Sequence, residues 1–335
     1  MPIRINTSIQ VVLVSLAIGL SGCSSNPADA PPPTITPAQA AVSPPVTGTP
    51  AGTLRPLAAP AQGAVFDGKT GSLAVLSESE ITILGEPGGT RSVPLPGVAT
   101  AITGDGEGQA YASTRGGYFR IDLAEGTATP VRVEGQEQTD FTAITRRADG
   151  RLALGSADGT VFTLRSDTAV GAHLKIFARV DGLVAQGNTV VVLDRGQTSV
   201  TALSEDGEKA EQALRAGEGA TTMAADSVGR VLVADTRGGQ LLVFGTDPLI
   251  LRQKYPVRDA PYGLAGSSTL AWVSQTASNA VVGYDLSTGI PVEKVRYRTV
   301  QQPNSLAYDE SSGTLYVVSG SGAGVQVIPD AAVGS

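Results

Sequence analysis

Reactive side chains are scarce in these 335 residues: there is one Cys and one His. That excludes a Cys/His zinc site, a CxxC redox pair and any disulfide within the chain. Aromatic residues make up only 4%, too few for stacking platforms that hold bases or sugars. Basic residues are outnumbered, 24 Lys+Arg against 31 Asp+Glu, giving a net charge of −7. Such a balance lacks the clustered cations that meet phosphates, so no nucleic-acid partner is expected. No capped segment of helical period occurs either, and helix content should be very low. Glycine and proline, at 41 and 21, are what the chain has in quantity.

The start reads as a secretory signal over residues 1–22. Arg4 supplies a positive end, and Ile9–Leu20 is an apolar run too short for a bilayer span. Leu20-Ser21-Gly22-Cys23 follows and resembles the lipobox of bacterial lipoproteins. The resemblance implies cleavage before Cys23, a thiol carrying a diacylglyceryl chain, and anchoring to the extracytoplasmic face of the cell membrane. Several acyl chains hold a protein on a bilayer where one is marginal. From Cys23 to residue 52 the chain is rich in Pro, Ala, Thr and Ser and nearly free of charge. A stretch like this buries too little to offset its ordering entropy, so a disordered tether is expected.

Residues 53–335 repeat. Val65, Ile102, Ile144, Val184, Met223, Leu264 and Leu306 each sit third in a short run, at spacings of 37, 42, 40, 39, 41 and 42. Seven units of about forty residues are the length signature of four-stranded propeller blades. A second, nearly continuous apolar run follows a turn in every unit, as in Val190–Asp194 and Val231–Asp235, and fits strands covered on both faces. The expected fold is therefore all-β, a seven-bladed β-propeller of four-stranded antiparallel blades. Unit seven is short, with seven residues after Ile328, so Thr53–Leu57 is expected to supply its outer strand and close the ring.

Val231–Phe244 resembles an NHL-type repeat, and Leu270–Gly289 resembles a YVTN-type propeller repeat. With the lipobox, the chain is similar to propeller lipoproteins of mycobacteria and related actinobacteria. The resemblance implies a scaffold and brings no activity with it. In such propellers the first strands line a central channel. Thr100, Thr142, Thr221, Tyr262 and Asn304, with Gly63 and Gly182, would ring its mouth, neutral and rich in hydroxyls. These are the candidate binding residues; equally, small side chains simply pack a crowded axis.

A second ring ends the second strands at Ser77, Thr114, Ser156, Asp194, Asp235, Ser274 and Ser319, side chains suited to holding turns. Asp194 and Asp235, with Asp140, Asp181, Glu218 and Asp259 nearby, could instead form an acidic face, partly neutralised by Arg195 and Arg237. Six-bladed lactonases hold calcium with an acid and Asn/Asp groups at the channel, where only Asn304 fits here. Streptogramin lyases need a His there, whereas His173 falls in an outer-strand segment. The favoured function is a non-catalytic binding or scaffold module for a cell-envelope protein or glycan, without cofactor or metal. The alternative is a divalent-cation-dependent, lactonase-like hydrolase or lyase working through Asp194 and Asp235.

Overall fold

Apolar runs without polar alternation need cover on both sides, and the computed structural model, which describes residues 32–85 and 89–333, shows how they get it. Blade 1 comprises β2 (Gly63–Asp67), β3 (Ser72–Ser77), β4 (Glu80–Leu84) and β5 (Thr90–Pro94). Blade 2 comprises β6 (Ala99–Gly104), β7 (Gln109–Thr114), β8 (Gly117–Asp122) and β9 (Thr127–Arg132). In blade 3 the strands are β10 (Phe141–Arg146), β11 (Leu152–Ser156), β12 (Thr160–Leu164) and β13 (Val170–Lys175). Blade 4 has β14 (Gly182–Gln186), β15 (Thr189–Asp194), β16 (Ser199–Leu203) and β17 (Ala210–Arg215). Blade 5 has β18 (Ala220–Ala225), β19 (Arg230–Asp235), β20 (Gln240–Thr246) and β21 (Leu249–Pro256). Blade 6 has β22 (Pro261–Gly266), β23 (Leu270–Gln275), β24 (Ala280–Asp285) and β25 (Val292–Arg298).

Blade 7 joins the two chain ends. Its strands β26 (Pro303–Asp309), β27 (Thr314–Ser319) and β28 (Val325–Ile328) come from the end of the chain, and β1 (Thr53–Arg55) adds the outer edge. Thr53 pairs with Val327 and Arg55 with Val325, so the closure expected from the short last unit is what forms. Pro56 falls just past this strand, where its missing N–H costs no ladder bond. No helix occurs among the described residues.

The cores lie between blades. Ala74, Leu76 and Ile81 of blade 1 pack with Ala110, Ala112 and Phe119 of blade 2. Leu73 and Val75 turn the other way, onto Val318 and Val325 of blade 7. A period-2 strand thus feeds a different core with each face, which is why β3 is buried at all six positions. The third strands are covered almost as fully, β12 at every position, although their sequences alternate. Thr160 and Thr163 of β12 are buried despite their hydroxyls, so alternation there does not mark a solvent face. Outer strands such as β9 and β17 are mostly exposed and carry the charge.

The expected disordered tether differs from the structure over its described part, residues 32–52, while 23–31 lie outside the described residues. Those twenty-one residues form an extended strap without regular secondary structure. It crosses the side of the ring formed by the loops that enter first strands and the turns that join second to third strands. Ile35 N–H donates to Gly196 O (2.8 Å) in blade 4. Ser43 Oγ donates to Thr276 O (2.6 Å) in blade 6, and Asn279 Nδ2 donates to Pro44 O (2.7 Å). Room for this is made by glycine. A Cβ on Gly219 would stand 2.9 Å from Ala38 Cβ, and one on Gly196 would stand 3.2 Å from Thr34 Cγ2. Backbone hydrogen bonds, rather than apolar burial, supply what the composition lacks.

Candidate functional site

The seven first strands enclose a cavity of about 770 Å³ that runs from Gln62, Asp181 and Arg195, at the mouth on the side the strap crosses, to Gly104, Gly106 and Gly266 toward the other side. Its wall mixes polar groups such as Thr222 and Ser305 with Val65, Ile102, Met223, Leu264 and Leu306, five of the seven residues that marked the repeat. The five candidates Thr100, Thr142, Thr221, Tyr262 and Asn304 all line it, as do Gly63 and Gly182. The placement expected from the repeat is what the strands produce.

Their availability is another matter. Thr100 Oγ1 lies 2.7 Å from Phe141 O in the next blade, and Thr142 Oγ1 lies 2.5 Å from Val180 O. Thr222 Oγ1 bonds Tyr262 O in the same way, and Thr236 Oγ1 donates to Pro261 O (2.6 Å). Thr221 is buried, its hydroxyl shared between Ala234 O (3.2 Å) and Thr236 Oγ1 (2.6 Å). Thr100, Thr142, Thr222 and Thr236 therefore latch one blade to the next, while Thr221 holds to its own blade. Tyr262 and Asn304 remain half-exposed at the mouth. The Tyr262 hydroxyl has no hydrogen-bond partner among the described residues, and Asn304 Oδ1 accepts from Gln302 Nε2 (3.0 Å). Gln302 also donates to Ala41 O (2.9 Å) and accepts from Ser43 N–H (3.0 Å), so one amide ties the strap to the mouth.

The two acids proposed for a charged face are wholly buried. Asp194 accepts the N–H groups of Gln197 (2.8 Å), Ala178 (2.8 Å) and Arg179 (3.3 Å). Asp235 accepts those of Gly219 (2.8 Å), Glu218 (3.0 Å) and Gly238 (3.0 Å). Each carboxylate pins the entering loop to the turn beside it, and charge-assisted bonds of this kind are strong. They present no open oxygen pair to the mouth. Among the described residues no three His, Cys, Asp or Glu side chains converge to hold a metal ion. In the sequence-aligned ring, Ser274 falls one residue short: β23 ends at Gln275, opposite Ala280, and Ser274 Oγ accepts Gly263 N–H (2.8 Å) instead. The first strands β10 and β18 carry register shifts near their starts and β2 and β14 do not. In blade 6 the shift of β22 falls between Pro261 and Leu264, and counting from the repeat slips by one there.

Asp181 and Arg195 are the charged members of the cavity wall. Burial pushes the Asp181 carboxyl up from its ordinary range, against the Arg195 N–H bond (2.8 Å) and the nearby Arg195 and Arg179 charges. The Arg195 guanidinium donates to Ala38 O of the strap. His173 is exposed on the outer strand β13 and stacks against Phe162, with centroids 6.3 Å apart. The lipobox residues Leu20, Ser21, Gly22 and Cys23 lie outside the described residues.

No protein-family model and no curated protein matches the chain. Solved structures share its fold. A streptogramin B lyase is 11% identical over 81% of this chain and 95% of that one, with a TM-score of 0.68. The virginiamycin B lyase of Staphylococcus aureus is 12% identical over 82% and 99%, also at 0.68. A chain of the mitotic checkpoint complex gives 12%, 90% and 97%, at 0.69. Identities this low establish a common propeller and nothing finer.

Proposed function

We propose that this protein is a lipid-anchored, extracytoplasmic propeller that binds an envelope protein or glycan at its channel mouth without chemistry of its own. The observation that carries the reading is how the polar groups around the mouth are spent. Hydroxyls and carboxylates that could serve catalysis hold the blades and loops, while Tyr262 and Asn304 keep polar surface beside apolar side chains such as Val65, Leu264 and Leu306 of a mixed cavity wall. A phenol and an amide next to apolar surface suit a neutral polar ligand or a peptide, which hydrogen bonds orient and burial retains. Cys23 would bear the anchor, on the strength of the Leu20-Ser21-Gly22-Cys23 pattern. The resemblance of Val231–Phe244 and Leu270–Gly289 to NHL-type and YVTN-type repeats fits a scaffold of this sort.

The test compares wild type with the double variant Tyr262→Ala, Asn304→Ala on an array of envelope glycans and by cross-linking in envelope membranes. Loss of capture with an unchanged unfolding midpoint supports the mouth as the site, and unchanged capture removes it.

A second reading, a hydrolase or lyase, draws on one feature, the half-buried Asp181 in the cavity wall, whose carboxyl desolvation pushes up. It would use Asp181 as acid beside Arg195, in place of Asp194 and Asp235. Asp181→Asn abolishing turnover of a lactone or cyclic depsipeptide would favour it.

A further inference from the structure

The strap changes what the anchor can do. Were residues 23–52 a free tether, thirty residues would separate Cys23 from β1, a reach of about 100 Å at full extension. Among the described residues the first hydrogen-bonded point is instead Ile35, whose N–H is held by Gly196 on blade 4. Twelve residues separate it from Cys23, and twelve residues span at most about 40 Å. From Ile35 the chain is fastened in turn to Arg237 (through Thr36 O), Arg195 (Ala38 O), Thr276 (Ala41 N–H and Ser43 Oγ) and Asn279 (Pro44 O). All four lie in turns between second and third strands, on the mouth side. The leash therefore starts on the side of the ring that carries Tyr262 and Asn304.

We infer that the strap turns the channel mouth toward the bilayer that holds Cys23 and keeps it there, so that the mouth side of blades 4 to 6 rests against lipid headgroups. This rests on the lipid-anchor reading above. Charge favours the same orientation. The strap is uncharged over 32–52, and in the loops and turns under it Arg195 and Arg237 offset Asp181, Glu218 and Asp259. The opposite side concentrates Asp105, Glu107, Glu205, Asp206, Glu208 and Glu310 in its loops. An anionic bilayer repels that side within roughly a Debye length, about 10 Å at moderate salt. What the mouth receives must then be presented at the membrane surface, and a polymer lying beyond the ring would meet the acidic side.

The experiment uses the full acylated chain on vesicles of phosphatidylcholine with a minority of phosphatidylglycerol, some headgroups bearing a nitroxide quencher. A fluorophore is attached at Glu218→Cys on the mouth side or at Glu208→Cys on the opposite side, both exposed. Quenching several-fold greater at 218 is expected, and twenty Gly/Ser residues inserted after Asn26 should largely remove the difference. Equal quenching in the uninserted chain, or greater quenching at 208, with Cys23 shown by mass spectrometry to be acylated, overturns the orientation and leaves the anchor standing. A bare Cys23 and failure to float with vesicles overturn the anchor reading itself.

Discussion

Thr100 on β6 donates its hydroxyl to the carbonyl of Phe141, the first residue of β10, across the joint between blades 2 and 3. The contact does for the ring what a ladder bond does within a sheet, and Thr142 repeats it one blade further on. Thr100→Val and Thr142→Val keep shape and remove the donor. Each should lower stability by about 1 kcal/mol, since a buried carbonyl loses its partner. Thr100→Ser should retain most of it. Urea unfolding measures all three, and capture of a mouth ligand by the folded variants should not change.

Asp235 serves three backbone N–H groups from full burial. Asp235→Ala strands those donors in a site water does not reach, and the expected cost is about 3–5 kcal/mol. Asp235→Asn keeps one acceptor and should fall between. Calorimetry of the wild type with calcium should show no specific heat, because the oxygens a cation would need are engaged.

Gln302 holds Ala41, Ser43 and Asn304 at once. Gln302→Ala should release the middle of the strap before the ring loses anything. Amide exchange at Ala41 and Ser43 should accelerate and proteolysis within residues 35–45 should rise, with a global loss of about 1–2 kcal/mol. Exchange confined to unchanged rates there would show that the strap is held by something else.

Asp158 sets a pH dependence. Burial works against its charge, yet Lys175 and the hydroxyls of Ser156 and Thr160 hold its pKa down to about 2. A carboxyl with a depressed folded pKa adds stability above its unfolded value, near 4, and that share disappears as pH falls toward 2. The Lys175 pair is 2.8 Å long but more than half exposed on both sides, so solvent reduces the effect to under about 1 kcal/mol. Asp158→Asn should flatten the acid limb of thermal stability between pH 4 and 2 by that amount, as calorimetric melting would show.

Legibility followed burial. Val65, Ile102 and their counterparts mark seven units because each fills the same place on a first strand, so period, blade number and the use of Thr53–Arg55 to finish blade 7 could all be read from the chain. The repeat places the mouth residues in the cavity wall, but it does not tell which of their polar groups are engaged. Thr100 and Tyr262 look alike as polar candidates, and only geometry shows that a neighbouring carbonyl consumes the first and leaves the second free. Ala38 and Ser43 were invisible for a different reason. Their order comes from main-chain groups meeting Arg195, Thr276 and Gln302, and such bonds leave no hydrophobic period in the sequence. Gly196 and Gly219 were the one available sign, small residues where the strap passes close.

Ala51 O receives a hydrogen bond from Gln326, 275 positions later. Synthesis delivers the early partner long before the late one exists, so blade 7 has no outer edge until the final residues arrive. The other six blades draw on consecutive strands, and the ring is clasped last at its seventh.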